Sequence, residues 1–184
     1  MNIKNFIVTL SVGVLAVCAS TIAFAGRSAE IDGDATAALA QFYQQNPLHQ
    51  QLADRAVGML VFPHVVKGGA GVSGEYGEGV LMIEGRPVRH YAIEGGSMGL
   101  ILGAAEHSEV IMFMTESTLM KFVTSKGWTV GPQTGVAVVS QGAGGTYDSD
   151  TLRKPVLGFV FGENGLIGDI SFAGLKISKL NGKS

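Results

Sequence analysis

The sequence predicts an α+β fold in which two N-terminal helices pack on a curled, barrel-like antiparallel sheet, with one short helix later in the chain. Apolar residues recur at helical spacing before Val57, whereas short runs of β-branched and aromatic residues follow it. Glycines interrupt those runs, most densely between Gly68 and Gly79. Valine and tyrosine stand among these glycines, which is typical of strands that turn tightly or approach other backbone closely.

Residues 1–25 show the three parts of a cleavable secretory signal. Lys4 gives a positive start, Phe6 to Ile22 form an apolar core, and Ala23-Phe24-Ala25 is a small-x-small cleavage site. The sequence therefore predicts export to the periplasm and a mature chain that starts at Gly26.

Cys18 is the only cysteine and lies inside this leader. A lipoprotein anchored at Cys18 is the alternative, but Val17 stands where the acceptor of a lipid anchor wants a small residue. Cleavage after Ala25 leaves a chain without thiols, which excludes disulfides, thiolate catalysis and cysteine metal sites.

The remaining residues form a tether and one domain. Residues 26–33 are small and polar and predict a tether, and residues 34–184 predict a single domain. Asp34 is the predicted cap of the first helix, and Asn46-Pro47 begins the second. The later helix is predicted between a cap at Ser117 and a stop at Gly127.

Ten short strands are predicted beyond Val57, from alternating or continuous apolar runs with glycine-bearing turns. They are Met59–Phe62, Ala70–Tyr76, Val80–Glu84, His90–Ile93, Met98–Ala105, Val110–Met114, Gly135–Ser140, Val156–Phe161, Ile167–Phe172 and Leu175–Leu180. Trp128 is predicted to lie in the core.

Two short motifs resemble catalytic signatures but lack the required context. Gly69 to Gly74 matches G-x-G-x-x-G, yet two more glycines, Gly77 and Gly79, follow within five residues and oppose the helix that must follow. Gly95 to Gly99 matches G-x-S-x-G, but the only later histidine, His107, adjoins the only acid between them, Glu106, and adjacent strand residues point to opposite faces. The sequence predicts a protein that is not an enzyme and has no cofactor.

No spacing of histidines or carboxylates predicts a metal site. The four histidines, at positions 49, 64, 90 and 107, are predicted as surface or turn residues. Glu75, Glu78 and Glu84 are predicted as solvated strand residues opposed to Arg86 and Arg89.

The charge of the chain does not favour nucleic acid as a partner but is compatible with anionic lipid headgroups. Without the leader, the chain holds 12 basic and 15 acidic residues, which does not favour nucleic acid. From Arg153 onward, however, five lysines and arginines face two acids. This segment is either a solvated face or a site for anionic headgroups.

Four blocks of sequence resemble the SYLF domain family, in its bacterial exported branch. The blocks are VFPHVVKGGAGVSGEYGEGVL (61–81), SMGLILGAAEHSEVIMFMT (97–115), FVTSKGWTVG (122–131) and PVLGFVFGENGLIGDISFAGLKIS (155–178). The resemblance runs from about Asp34 to Leu180. It implies lipid binding, since eukaryotic relatives bind phosphoinositides and some bind actin.

We therefore expect a non-enzymatic lipid-binding protein of the periplasm or cell envelope, with anionic phospholipid or a membrane surface as its partner. Acyl chains would need an apolar groove, such as one at the helix–sheet junction. The cations expected to meet headgroups are Lys67, Arg86, Arg89, Arg153, Lys154, Lys176 and Lys179. The alternative is a secreted scaffold that docks a protein partner.

Overall fold

The computed structural model describes residues 26–130, 134–139, 148–165 and 174–180. The predicted leader and the predicted strand Ile167–Phe172 lie outside these residues. Within the described part, three α-helices pack against a sheet of six strands. The predicted α+β class with a curled, barrel-like sheet is confirmed.

Helix α1 covers residues 26–45, and helix α2 covers Pro47–Ala53. Their junction is the predicted one, because the Asn46 side chain accepts a hydrogen bond from the backbone N–H of Leu48 at 2.9 Å and Pro47 opens α2. The tether predicted over 26–33 is instead helical. Ile31, buried in the core, is the apolar residue that anchors this first part of α1.

One very long antiparallel hairpin forms most of the sheet. Strand β1 runs over Gly58–Ile83 and β2 over Arg86–Phe113, paired along their whole length with three register shifts. A straight strand of this length would extend roughly 85 Å at about 3.3 Å per residue. The hairpin is instead bent. Where six short strands were predicted between Met59 and Met114, the structure has two long ones.

Glycines let β1 bend back onto itself. A Cβ atom on Gly77 would lie 2.8 Å from the carbonyl oxygen of His64, and one on Gly79 would overlap Val61 and Phe62. The predicted close approach is confirmed at these two positions. At Gly74 the prediction is wrong, because nothing lies within 4 Å of an added Cβ and the backbone is not left-handed. The surroundings of Gly71 lie outside the description.

The remaining elements complete the sheet around β2. They are α3 Glu116–Thr124, β3 Trp128–Thr129, β4 Val136–Val139, a 3₁₀ turn Thr151–Arg153, β5 Val156–Gly165 and β6 Lys176–Lys179. The strand order is β3-β6-β2-β5-β4, and β1 also pairs with β2. Pairing is antiparallel except between β4 and β5, which run parallel.

Helix α3 differs from its prediction at both ends. Thr115 rather than Ser117 caps it, and it ends at Thr124, before Gly127. Its buried face, Leu119 and Phe122, is as predicted from helical spacing.

Alternation along the strands separates two apolar layers. The outer core lies between the sheet and helices α1 and α2, and it includes Phe42, Val61, Val80 and Phe159. The inner core lies on the opposite, concave face and includes Phe62, Leu81, Ile111 and Phe113, with Leu119 and Phe122 of α3 closing it. Trp128 packs beside this layer as predicted, its ring centroid 5.4 Å from that of Phe122. In the described part of the chain, every helix is too short or too polar to span a bilayer.

Candidate functional site

A groove of about 660 Å³ lies between α1 and the bent part of β1; we call it the junction groove. Arg27 and Ile31 line it from the helix, and His64, Val66, Glu75 and Tyr76 line it from the strand. Val66 and Tyr76 are 52% and 49% exposed, and nearby Val72 is 64% exposed. A groove with apolar side chains open to solvent at its rim is thus present at the helix–sheet junction.

Several charged groups on the groove walls are paired, including Asp34, whose Oδ2 is 3.7 Å from His64 Nε2. The Arg27 guanidinium makes two hydrogen bonds to the Glu78 carboxylate, one of them at 2.8 Å from Nε to Oε2. The Tyr76 hydroxyl donates to Glu78 Oε1 at 2.5 Å. Burial and this carboxylate together raise the pKa of Tyr76 to about 12. His64 Nδ1 lies 2.6 Å from Glu106 Oε1, on the outer surface.

Below the groove lies a group of four buried charged residues, the inner charged cluster: Lys67, Glu75, His107 and Glu109. His107 Nε2 is 3.0 Å from Glu109 Oε1 and 3.4 Å from Glu75 Oε1. Lys67 Nζ is 3.9 Å from the other oxygen of Glu75, Oε2. Glu75 is also among the residues that line the junction groove, although its side chain is only 5% exposed.

Strand alternation places these four side chains on the inner face of the sheet. The bend of β1 then brings Glu75, which pairs with Gly95, close to His107, which pairs with Val65. Lys67 follows Val65 by two residues on β1, and Val65 belongs to the inner core. His107 and Glu109 precede Ile111 and Phe113 at the same period-2 spacing on β2. The inner face of the sheet is therefore apolar toward α3 and charged toward the bend.

Burial changes the proton affinities in the cluster. Burial opposes a charge on His107, but the hydrogen bond to Glu109 and the nearby carboxylates of Glu109 and Glu75 outweigh it and raise the pKa of His107 to about 9. Burial likewise raises the pKa of Glu109 to about 7, although His107 partly offsets this. Among the described residues, Glu75 Oε1, Glu109 Oε2 and His107 Nδ1 have no hydrogen-bond partner.

These positions correct several predictions. His107 is buried rather than on the surface, and so is His49, whose ring stacks on Phe42 with centroids 3.9 Å apart. Glu75 is buried rather than solvated, and Glu78 pairs with Arg27 rather than with Arg86 or Arg89. The spacing of histidines and carboxylates along the sequence did not reveal this cluster, because its residues come from two different strands.

Both catalytic-like motifs lie within strands, as their context predicted. Residues 69–74 belong to β1, residues 95–99 belong to β2, and strand continues after each. Glu106 faces His64 on the outer surface while His107 points inward, so the neighbouring acid does not orient this histidine.

The seven predicted headgroup cations lie in four separate places. Lys67 is in the inner charged cluster, Arg86 and Arg89 follow the hairpin turn, Arg153 and Lys154 lie at the 3₁₀ turn, and Lys176 and Lys179 are on β6. Four of them have described partners nearby. Lys67 lies beside Glu75, and Arg153 Nη1 is 3.6 Å from Asp150 Oδ1. The Lys179 ammonium donates to the carbonyl of Val123 at 2.7 Å, and Lys176 Nζ is 3.7 Å from Glu94 Oε1.

Lys176 lies in the same cross-strand row of the sheet as Tyr76, a residue that lines the junction groove. Tyr76 pairs with Glu94 across β1 and β2, and Glu94 pairs with Lys176 across β2 and β6. Directly paired residues share a face of the sheet, so Tyr76, Glu94 and Lys176 form one cross-strand row.

Sequence reasoning missed Arg27, Glu75, His107 and Glu109. Arg27 lies in the segment predicted as a tether. The burial of the other three could have been predicted from the sequence. Each lies an even number of positions from apolar residues on the buried face of its strand. No protein-family model matches this chain, and no curated protein matches it.

Proposed function

We propose that this protein is a non-enzymatic lipid-binding protein of the periplasm or cell envelope that takes an acyl chain of an anionic phospholipid into the junction groove. The observation that carries the proposal is the groove itself, of about 660 Å³, with Val66 and Tyr76 exposed at its rim. Small-molecule pockets typically measure about 300–1,000 Å³ and are mainly apolar.

An anionic headgroup would bind beside the groove rather than within it, because the lining includes four acids, Glu30, Asp34, Glu75 and Glu78. Lys176 is on the cross-strand row of Tyr76, and its side chain is 60% exposed. A cation near an anionic lipid surface contributes about 1 kcal/mol, which decreases as salt screens the charges. Arg27 offers a second cation. To bind a headgroup, its guanidinium would have to replace one of its hydrogen bonds to Glu78 with one to the lipid.

Two sequence features support the same proposal. The leader-like residues 1–25 support a location in the envelope, where phospholipid is abundant. The resemblance to the SYLF family implies lipid binding. The alternative, a secreted scaffold that docks a protein partner, is an outcome of the test below.

The test compares binding to vesicles of phosphatidylcholine alone with binding to vesicles that also contain phosphatidylglycerol, at low and high salt. The protein is purified after expression of the full chain, and its intact mass shows whether it begins at Gly26. Co-sedimentation measures binding, and mass spectrometry identifies lipid that co-purifies.

A matched pair of variants locates the site. Val66 and Val88 are similarly exposed strand valines, at 52% and 55%, but Val88 lies near the hairpin turn, outside the residues that line the groove. We expect Val66→Ser to weaken binding several-fold and Val88→Ser to leave it unchanged. Lys176→Glu should remove most of the salt-sensitive part of the binding. The control is Lys121→Glu, at an exposed lysine on α3 that is not among the predicted headgroup cations.

Two results would contradict the proposal. Equal losses from Val66→Ser and Val88→Ser would remove the lipid from the junction groove. A folded parent protein that binds neither vesicle and carries no lipid would favour the scaffold.

A further inference from the structure

We propose that Glu75, His107 and Glu109 form a binding site for one divalent first-row transition-metal ion. The proposal concerns the inner charged cluster and does not depend on lipid binding. No sequence motif indicates this site, because its residues come from two strands.

The first argument is geometry. One ligand atom from each of the three residues lies within 4.8 Å of the other two, so small side-chain rotations bring all three to a common ion. Metal–ligand distances for zinc are about 2.0–2.2 Å to nitrogen and oxygen, which require mutual ligand separations of this order. Both strands are paired on either side of the cluster, which gives the ligands a rigid support.

The second argument is the set of unpartnered polar atoms. The Glu109 side chain is fully buried, yet its Oε2 has no hydrogen-bond partner among the described residues. The same holds for Glu75 Oε1 and His107 Nδ1. A single N–H at His107 Nε2 faces two carboxylate oxygens and cannot satisfy both well. Buried polar atoms without partners are costly, and an ion would satisfy the carboxylate oxygens.

Charge indicates the class of ion. With His107 neutral, the two carboxylates and the Lys67 ammonium leave one net negative charge in a buried space. Lys67 faces Oε2 of Glu75, so Oε1 remains directed toward His107. An imidazole with two carboxylates suits Zn²⁺, Mn²⁺ or Fe²⁺, whereas Ca²⁺ prefers six to eight oxygen ligands.

The experiment uses protein expressed from the full chain without an oligohistidine tag, treated with a chelator and then dialysed against Zn²⁺, Mn²⁺ or Ca²⁺. Elemental analysis gives the stoichiometry, and a competing chromophoric chelator gives the affinity. We expect one Zn²⁺ per chain and no retained Ca²⁺. Ligand substitutions should weaken Zn²⁺ binding by about 100-fold or more, since loss of even an outer-shell partner costs about 10–100-fold.

The variants are His107→Gln and Glu109→Gln, with His64→Gln as the matched control. His64 also contacts a carboxylate, that of Glu106, but it lies on the surface with its side chain 60% exposed. Wild type and His64→Gln should bind Zn²⁺ equally, whereas His107→Gln and Glu109→Gln should show the 100-fold or greater loss of affinity. If wild type binds no Zn²⁺, or if only His64→Gln abolishes binding, the proposal is overturned.

A second measurement decides the question should a cluster variant fail to fold. Co²⁺ bound to wild-type protein by few nitrogen and oxygen ligands has stronger visible absorption than hydrated Co²⁺. We expect this absorption to appear with one equivalent of Co²⁺ and to disappear on addition of Zn²⁺. A spectrum identical to that of hydrated Co²⁺ would overturn the proposal.

Discussion

At the scale of single residues, two glycines determine how closely the halves of β1 approach. The inner face of the bent strand brings Gly77 against the backbone at His64, and Gly79 against the backbone and ring of Val61 and Phe62. Backbone atoms cannot move aside as a flexible side chain can. A methyl group at either glycine would therefore force the two halves apart.

We expect Gly79→Ala and Gly77→Ala to lower the free energy of unfolding by about 1–3 kcal/mol, the usual cost of overpacking. Gly74→Ala is the matched control, because its Cβ would meet nothing within 4 Å. It should be neutral or add a few tenths of a kcal/mol, since alanine restricts the unfolded chain. Urea titrations measure all three. A loss at Gly74→Ala as large as that at Gly79→Ala would show that the effect is not steric.

At the scale of elements, a two-residue turn joins the longest strands. Ile83 pairs with Arg86, which leaves Glu84 and Gly85 as the turn, with φ of 52° and 72°. Positive φ at both positions is the signature of a type I′ turn, which favours Asn-Gly. Glu84 is the one non-glycine residue with positive φ in the described chain, so it carries a local conformational cost.

Glu84→Asn should therefore stabilise the protein by roughly 0.5 kcal/mol, because asparagine tolerates this conformation better. Glu84→Val should have the opposite effect, since a β-branched residue at positive φ is strained. Thermal melting of both variants beside wild type tests this. If valine were tolerated as well as asparagine, the turn would not have the geometry described.

Local signals predicted these elements better than non-local ones. The Asn46-Pro47 boundary was predictable because the cap and the proline act within one helical turn. The continuity of β1 was not, because glycines such as Gly77 and Gly79 suggested breaks, whereas in the fold they face backbone across a bend. The inner charged cluster was missed for a related reason. Its phase was visible along each strand, but Glu75 pairs with Gly95 and His107 pairs with Val65, so only the bend of β1 brings Glu75 to His107.

At the scale of the whole molecule, the concave face of the sheet joins an apolar core to a set of buried charges. The pKa of His107 is raised to about 9 in the folded protein, mainly because Glu109 and Glu75 outweigh the effect of burial. The pKa of Glu109 is raised to about 7, mainly by burial. Folding therefore increases proton binding by both groups, and folding stability depends on pH.

The sign of this dependence follows from the direction of the shifts. A histidine has a pKa of about 6.5 when unfolded, so between about pH 6.5 and 9 the folded protein binds a proton that the unfolded chain has released. The stability that His107 contributes is complete below pH 6.5 and is lost as pH rises through 9. Glu109 adds a loss in the same direction between about pH 4.5 and 7.

We expect the free energy of unfolding of metal-free protein to fall by on the order of 2 kcal/mol between pH 6.5 and 9. His107→Gln should remove most of this fall, because the titrating group is gone, while the surface variant His64→Gln should retain it. Urea titrations in the presence of a chelator at both pH values provide the measurement. A His107→Gln protein that loses as much stability as wild type would show that His107 does not keep its proton in the folded state.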